Sequence, residues 1–384
     1  TRVAHADGRS GPHVRPVEPD RIYLHSFSRG LLSIRWDGTD EKEHLKVTGF
    51  SATRGGEPAN ASAIRMAPVD DRALARVGND LYTVTVPRVG EAPTVSVQDP
   101  DNASMPVERV TEFGGEFPSW SADGGTVVWA LGNAYFRYDL ARAQAVADSL
   151  EEETETESDT SEEAEAADDE EETEGYRPTE VRVRLEVDRD RPEGRLLLQG
   201  GRVLTMRGDE ILDRGDVLIE GNRIVAVGPT GTLSADGAEV RDLRGKTVMP
   251  GFVDTHAHLR PPAGIHTPQP WGYLANLAFG VTTTRDPQTG VSDVLTYADL
   301  VRSGRALGPR IYSTGPGVFG NYQPGEGIRS LDHARDVLRR YADYYDTKTF
   351  KMYLAGNRQQ RQWLVMAARE LELMPTTEAG LDFQ

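Results

Sequence analysis

Two histidines that follow an apolar run are the residues of this sequence best suited to bind a metal ion. His256 and His258 lie in the segment VMPGFVDTHAHLR, residues 248–260. In an extended strand, side chains two residues apart point to one face, with their Cα atoms about 7 Å apart. Both imidazoles can therefore reach one divalent ion, and we predict that they are metal ligands. The alternative is that they flank Ala257 at a strand edge and bind nothing.

A metal ion held by this pair would support hydrolysis. A divalent ion polarises a carbonyl and lowers the pKa of a bound water toward about 7, which gives hydroxide at neutral pH. The chain contains no cysteine, so thiolate ligands and disulfides are both excluded. The absence of cysteine leaves the cellular compartment open.

The residues around and after the histidines predict alternating strands and helices. The strand before the histidines is followed by predicted strands at residues 281–286, 310–316, 349–354 and 373–380, and by predicted helices at residues 272–279, 293–303, 330–345 and 358–371. A (β/α)8 barrel has eight strands and eight helices. The pattern therefore predicts the first five strands of such a barrel, with the later strands lying outside this sequence.

The segment GRVLTMRGDEILDRGDVLIEGNRIVAVGP, followed by GKTVMPGFVDTHAHL, resembles the start of the amidohydrolase superfamily, in the branch close to imidazolonepropionases and metal-dependent prolidases. The resemblance covers residues 196–384. It implies a small β-sandwich and then a distorted (β/α)8 barrel with one or two divalent ions, zinc first and manganese or iron as alternatives. It also implies hydrolysis of an amide or cyclic amide C–N bond in a small-molecule substrate, with deamination as a rival chemistry.

The resemblance extends to individual site residues. His256 and His258 match the first two metal ligands, and Lys351 matches a lysine that is often carboxylated and bridges two metals; Lys348 competes for that position. A histidine is usual on the fifth strand, where this sequence has Glu378, so Glu378 is the expected fourth protein ligand. The family's strand-six histidine and strand-eight aspartate have no counterpart in this sequence.

Several of these residues have plainer interpretations. Lys351 would otherwise form a salt bridge at a strand end, and Glu378 would be a carboxylate at the barrel mouth. Asp286 ends the second strand and is a catalytic candidate, against a helix-capping or arginine-paired role. His266 is either a substrate contact or an exposed loop residue. The glycine-rich stretch at residues 315–327 is either a mobile lid or an ordinary long loop.

The first part of the chain carries an internal repeat. Residues 66–84 align without a gap with residues 120–138, and both copies contain a Gly-Asn hairpin signal between short strands. A partial earlier copy begins at Ser28. The run FPSWSADGGTVVWA resembles blades of TolB-like β-propellers, so we predict about three blades of such a propeller; an ordinary β-sandwich is the alternative.

The net charge of −18 comes mostly from one acidic run. Residues 151–174 hold 15 acidic side chains and no basic one, which predicts a disordered segment. The five lysines and abundant arginine suggest a salt-adapted, halophilic source. No basic cluster predicts a nucleic-acid partner, and no apolar stretch reaches the roughly 18 residues of a membrane span. Homo-oligomer formation stays open.

The expected domains are C-terminal blades of a TolB-like propeller (1–148), an acidic disordered linker or loop (149–178), β-strands including the sandwich (179–247) and the truncated barrel (248–384). The chain starts at Thr1 rather than at methionine, so we expect its natural N-terminus, with any export signal, to lie upstream; the protein is either cytoplasmic or exported. The predicted function is metal-dependent C–N hydrolysis. The rival is a non-catalytic propeller interaction module attached to an incomplete barrel.

Overall fold

The structure is a computed structural model that describes residues 8–50, 57–158, 175–319 and 327–378. The chain divides into two compact units, one formed by Thr1–Arg184 together with Val318–Gln384 and the other by Leu185–Gly317. Both units are mostly β-structure with few helices, and no sheet of the described residues closes into a barrel or a propeller. None of the described helices combines the length and the apolar character needed to cross a membrane.

The N-terminal part of the first unit consists of three sheets. Its strands are β1 (Arg9–Arg15), β2 (Glu18–Ser26), β3 (Gly30–Arg35), β4 (Lys42–Thr48), β5 (Ala63–Met66), β6 (Arg72–Val77), β7 (Asp80–Thr85), β8 (Thr94–Ser96), β9 (Val107–Arg109), β10 (Glu116–Trp120), β11 (Thr126–Leu131), β12 (Ala134–Asp139) and β13 (Thr179–Arg182). The sheets run β1-β2-β3-β4-β8, β5-β6-β7-β9 and β10-β11-β12-β13. Pairing is antiparallel except between β4 and β8.

The repeat predicted from the sequence is confirmed by the strand bounds. Strands β6 and β7 have the same lengths and spacing as β11 and β12. Each pair is joined by a Gly-Asn turn, and Gly78 and Gly132 both have positive φ, as a two-residue hairpin requires. The propeller that we inferred from this repeat stays a prediction.

Apolar side chains from alternate strand positions form the core of these sheets. One cluster joins the first two sheets through residues such as Leu31, Leu45 and Val84. A second cluster joins the second and third sheets through residues such as Leu81 and Trp129. The second sheet therefore packs against the first sheet through one of these buried clusters and against the third sheet through the other.

The acidic run departs in part from its predicted disorder. Helix α1 spans Leu140–Ser158, so the first residues of the run continue a helix and that part of the prediction is wrong. The rest of the run, residues 159–174, lies outside the described residues. The chain then returns to the third sheet, because β13 pairs antiparallel with β12.

The second unit contains two sheets and two helices. Its elements are β14 (Arg195–Leu204), β15 (Ile211–Glu220), β16 (Arg223–Pro229), β17 (Ala238–Asp242), β18 (Thr247–Val248), β19 (Phe252–Asp254), α2 (Trp271–Ala278), β20 (Val281–Asp286), α3 (Asp293–Ser303) and β21 (Arg310–Ser313). The larger sheet runs β16-β15-β14-β17, with β18 paired to the end of β14. The smaller sheet, β19-β20-β21, is parallel.

Two predictions for this unit need correction. The expected β-sandwich is hydrogen-bonded as a single five-stranded sheet, in which β14 pairs with β17 along its first half and with β18 near its end. The strand expected to carry the histidines ends at Asp254, before them. Strand β20 and helix α3 have the predicted bounds, and β21 ends at Ser313, earlier than predicted.

The C-terminal part of the first unit supplies a parallel three-stranded sheet and two helices. Its elements are β22 (Val318–Phe319), α4 (Leu331–Arg339) with a π-helical extension (Arg340–Tyr344), β23 (Thr349–Tyr353), α5 (Arg358–Glu370) and β24 (Met374–Glu378). The sheet runs β22-β23-β24. The predicted cap of α4 is confirmed, because Ser330 Oγ accepts a hydrogen bond from His333 N at 3.0 Å. Strand β22 lies in the stretch predicted to be a loop.

The π-helical extension packs against the third sheet of the same unit. The Arg182 guanidinium lies over the Tyr344 ring, 4.3 Å from its centroid. A Cβ at Gly132 would lie 2.1 Å from the Tyr344 carbonyl oxygen, so only glycine fits there. Tyr344 also belongs to the core cluster of β11 and β12. The helix before β23 is thereby joined to the repeated sheets.

Candidate metal centre

The two histidines lie on a segment that is held to β20 by its backbone. The chain turns after β19, where Asp254 Oδ1 accepts a hydrogen bond from His256 N at 3.0 Å. Ala257 N then donates to Arg285 O of β20 at 3.0 Å. Ala257 and Leu259 are buried in the core formed with α3. The two histidines are exposed while Ala257 and Leu259 are buried, so the side chains alternate between two faces as predicted, although this segment is not a strand.

The two imidazole rings face each other. His256 Nε2 lies 3.1 Å from His258 Nε2, and both side chains are exposed. Zinc–nitrogen bonds of about 2.0–2.1 Å place two ligand nitrogens on one tetrahedral ion about 3.3 Å apart. The nitrogen spacing therefore fits two ligands of a common divalent ion.

A backbone carbonyl orients the second ring. His258 Nδ1 lies 3.2 Å from Gln288 O. Because a carbonyl oxygen can only accept a hydrogen bond, Nδ1 carries the proton in this contact. A neutral His258 then has its lone pair on Nε2, the nitrogen that faces His256, which is the tautomer a metal ligand needs.

Asp286 is buried at the end of β20, next to this segment. It is 0% exposed, and its Oδ1 accepts a hydrogen bond from Gln288 N at 3.0 Å. Burial raises its pKa to about 7, against the opposing effects of that hydrogen bond and of nearby His258. No described residue pairs with its Oδ2. The helix-capping and arginine-paired interpretations do not hold, because Asp286 caps a turn and forms no ion pair among the described residues.

Lys351 and Glu378, both in the first unit, form an ion pair. Lys351 Nζ lies 2.6 Å from Glu378 Oε2, across the register of β23 and β24. Lys351 is only 2% exposed. The pair fits an uncarboxylated, positively charged lysine, since a carboxylated lysine would place a second anion beside Glu378 unless a cation lay between them.

The remaining sequence candidates have structural partners or cannot be placed. His266 is an exposed loop residue, as one of its two interpretations expected, and its Nε2 lies 2.7 Å from Asp293 Oδ1 in the first turn of α3. Lys348 precedes β23, and its carbonyl accepts from Met374 N at 2.9 Å. The lid hypothesis falls largely on residues 320–326, outside the described residues.

The sequence interpretation missed the role of a backbone carbonyl. Gln288 contributes no side-chain chemistry to the histidine pair, and its importance comes from its oxygen atom. The signal was the dipeptide Asp286-Pro287, which is typical of a turn. A turn directly after a parallel strand places backbone groups at the edge where the functional side chains lie.

Comparisons with known proteins agree with the resemblance. The chain is 31% identical over 170 residues to a 5-methylthioadenosine/S-adenosylhomocysteine deaminase of Symbiobacterium thermophilum, covering 38% of this chain and 39% of the relative. It is 41% identical over 73 residues to a dihydroorotase of Lactococcus lactis subsp. lactis, covering 18% of this chain and 16% of the relative. Among solved structures, a Xaa-Pro dipeptidase with bound methionine matches with a TM-score of 0.40 at 18% identity, covering 48% of this chain and 56% of that one.

No family model matches the chain. The chain spans about two fifths, or less, of the length of the curated relatives named above. These relatives are hydrolases of the amidohydrolase superfamily that act on C–N bonds. The sequence similarity thus reaches the same superfamily that the histidine segment indicated.

Proposed function

We propose that this chain is part of a metal-dependent hydrolase that cleaves a C–N bond of a small molecule, with His256 and His258 as ligands of a divalent ion. The observation that carries the proposal is the 3.1 Å approach of the two Nε2 atoms, with the His258 tautomer set by Gln288 O. The sequence relatives support the reaction class, because they are C–N hydrolases.

The histidines fit the metal that such hydrolases use. A bound divalent ion polarises a carbonyl or imine carbon toward attack and activates water as the nucleophile. The chain's own contribution is to present two neutral imidazole nitrogens at the right spacing and to keep their backbone fixed to β20. Zinc is the first choice for two imidazoles, and manganese or iron are alternatives.

Lys351, Glu378 and Asp286 keep the roles that the resemblance and the sequence suggested. Lys351, carboxylated, and Glu378 are proposed further ligands, and Asp286 is a proposed contributor to the site. The ion pair between Lys351 and Glu378 is the uncarboxylated state of that pair. Bicarbonate is therefore expected to change the metal stoichiometry of the chain if carboxylation occurs.

Two substrate classes fit the proposal. The dihydroorotase relative points to opening of a cyclic amide, and the deaminase relative points to loss of ammonia from an amino-substituted ring. We favour the amide, because the histidine segment resembles the amide-cleaving branch. The three N-terminal sheets are proposed as TolB-like propeller blades, a proposal supported by the matched strand bounds of the second and third sheets.

The first experiment is metal analysis of the purified chain alongside His256→Ala and Lys351→Ala variants. We expect at least one equivalent of zinc, manganese or iron in the parent chain and none in the His256 variant. A parent chain that retains no metal after dialysis against zinc, or a His256 variant that retains all of it, would contradict the proposal.

The reaction class is then tested with two substrates. Dihydroorotate reports ring opening by its loss of ultraviolet absorbance, and 5-methylthioadenosine reports deamination by ammonia release. Turnover of a cyclic amide that requires His256 supports the favoured class, whereas ammonia release alone would replace it with deamination.

A further inference from the structure

The turn after β20 is fixed from two sides by buried side chains. Asp286 Oδ1 accepts a hydrogen bond from Gln288 N at 3.0 Å, which closes an Asx turn over Pro287. Thr314, which is fully buried, donates from Oγ1 to Pro287 O at 2.6 Å. Both hydrogen bonds therefore hold the peptide group between Pro287 and Gln288, one at its N–H and the other at its carbonyl oxygen.

This turn determines where the Gln288 carbonyl points. The same residue that donates its N–H to Asp286 uses its oxygen to accept from His258 Nδ1 at 3.2 Å. Gln288 thus connects Asp286 with His258: its N–H donates to the Asp286 carboxylate, and its carbonyl oxygen accepts from the His258 ring. A shift of the turn would move the carbonyl away from the ring nitrogen.

We propose that Asp286 is a positioning residue for His258. Its carboxylate fixes the Gln288 backbone, and the Gln288 carbonyl keeps the proton on His258 Nδ1, so that Nε2 is available to a metal ion. The proposal rests on the proposed function and refines the role of Asp286 from a catalytic candidate to a residue that acts through another.

The burial of Asp286 supports this role. An aspartate with no exposed surface and no ion pair among the described residues is costly to keep, and a smaller apolar residue would fill the same strand end at lower cost. What an apolar residue cannot supply is the Oδ1 acceptor for Gln288 N. The hydrogen-bond acceptor, rather than the negative charge, is therefore the property that matters.

The test compares Asp286→Asn, which keeps the Oδ1 acceptor and removes the charge, with Asp286→Ala, which removes both. Asp37→Ala is the matched control, because Asp37 closes a similar Asx turn with Thr39 N at 2.9 Å in the first sheet. The readouts are the tautomer of His258, from ¹⁵N chemical shifts of histidine-labelled metal-free chain assigned with His258→Gln, and the Zn²⁺ affinity from competition with a chromophoric chelator.

We expect the parent chain and Asp286→Asn to show His258 protonated at Nδ1, with Zn²⁺ affinities within about threefold of each other. Asp286→Ala should give a mixture of tautomers and bind Zn²⁺ about 10- to 100-fold more weakly, as is usual when an outer hydrogen-bond partner of a ligand is lost. Asp37→Ala should leave both readouts unchanged. An unchanged tautomer in Asp286→Ala, or an equal loss in Asp286→Asn, would overturn the proposal.

A second variant covers the outcome that Asp286→Ala does not fold. Thr314→Val removes the hydrogen bond to Pro287 O and leaves Asp286 in place. It should shift part of the His258 population to the other tautomer and weaken Zn²⁺ binding by a smaller factor. The tautomer is measured without metal, so it tests the positioning role even if the histidine pair binds no ion and the proposed function fails.

Discussion

Histidines lie in both the first sheet and the segment after β19, but their ring nitrogens have different partners in the two regions. His13 Nδ1 lies 2.9 Å from Gly11 O, and its Nε2 accepts a hydrogen bond from Met66 N at 2.9 Å. His258 makes the same kind of Nδ1 contact with a carbonyl, yet its Nε2 faces another imidazole. A backbone N–H satisfies the first ring completely, whereas the second ring presents a lone pair to a site that suits a cation.

The other histidines of the first sheet also form hydrogen bonds with neighbouring backbone or hydroxyl groups. His25 Nε2 contacts Ala61 O at 3.1 Å, and His44 Nε2 contacts Ser33 Oγ at 2.6 Å. Burial lowers the pKa of all three, and that of His44 falls to about 4. A backbone or hydroxyl partner at Nε2 therefore distinguishes the three packed histidines from His258, whose Nε2 faces another imidazole.

We expect the greatest change in Zn²⁺ affinity when a histidine of the segment after β19, rather than one of the first sheet, is replaced. His258→Ala should lower the Zn²⁺ affinity by at least about 100-fold, more than the loss of an outer partner, because a direct ligand is removed. His13→Ala should leave the affinity within about twofold. Chelator competition measures the Zn²⁺ affinity of both variants. Equal affinities would contradict the assignment of a ligand role to His258 and a packing role to His13.

Acid should destabilise the first sheet through its buried histidines. Because the native His44 ring stays neutral down to a pKa of about 4 while the unfolded ring binds a proton below about 6.5, stability is lost as the pH falls between these values. The loss from His44 alone is at most about 3 kcal/mol, at about 1.4 kcal/mol for each pKa unit.

Urea unfolding at several pH values between 7 and 4.5 checks this sign and size. His44→Gln keeps a hydrogen-bonding side chain near Ser33 and cannot titrate, so its stability should fall less steeply with acid. A slope identical to that of the parent chain would assign the acid sensitivity to other groups, of which His13 and His25 are the first to examine.

Removing a packed histidine should lower the free energy of unfolding and leave the Zn²⁺ affinity unchanged. His25→Ala leaves the Ala61 carbonyl without its side-chain partner and opens space in the first sheet. The expected loss is about 1–3 kcal/mol in the free energy of unfolding. Urea denaturation measures it, with His25→Gln as the control that retains a donor, while the Zn²⁺ affinity should stay at the parent value.

The smallest expected effect concerns a histidine of the second unit. His266 pairs with Asp293 at 2.7 Å, but its side chain is 34% exposed, so water screens the interaction. His266→Ala should therefore lower the free energy of unfolding by about 1 kcal/mol or less and leave Zn²⁺ binding unchanged. A drop in Zn²⁺ affinity comparable to that of His258→Ala would place His266 among the ligands.

Local sequence patterns predicted much of the secondary structure. The Gly-Asn hairpins at Gly78, Gly132 and Gly221 are confirmed, since each dipeptide needs positive φ at glycine and strands on both sides. The bounds of β20 and α3 agree with the prediction, and Pro287 and Gly304, residue types that commonly end strands and helices, follow them closely. The helical start of the acidic run was missed, because composition describes like-charge repulsion and not the helix that precedes it.

The sequence predicted the side chains of the site but not the backbone groups or strand pairings that position them. The spacing of His256 and His258 indicated two ligands, and the structure brings their Nε2 atoms together. The Gln288 carbonyl could not be assigned in advance, because any residue type supplies the same backbone oxygen. The partner of Lys351 depended on the register of β23 with β24, which a single sequence does not specify.

The return of β13 to β12 has a consequence for how this chain can change over evolution. Asp139 ends β12 and Thr179 begins β13, and the two strands pair with each other, so the connection between them, which begins with α1, closes a loop on the third sheet. The entropy of closing such a loop grows only with the logarithm of its length, about 0.6 kcal/mol for each doubling. Insertions and deletions of acidic residues there are nearly neutral for the sheet, whereas one extra residue at Gly132 would shift the β11–β12 register. Length variation among natural variants should therefore concentrate in this loop.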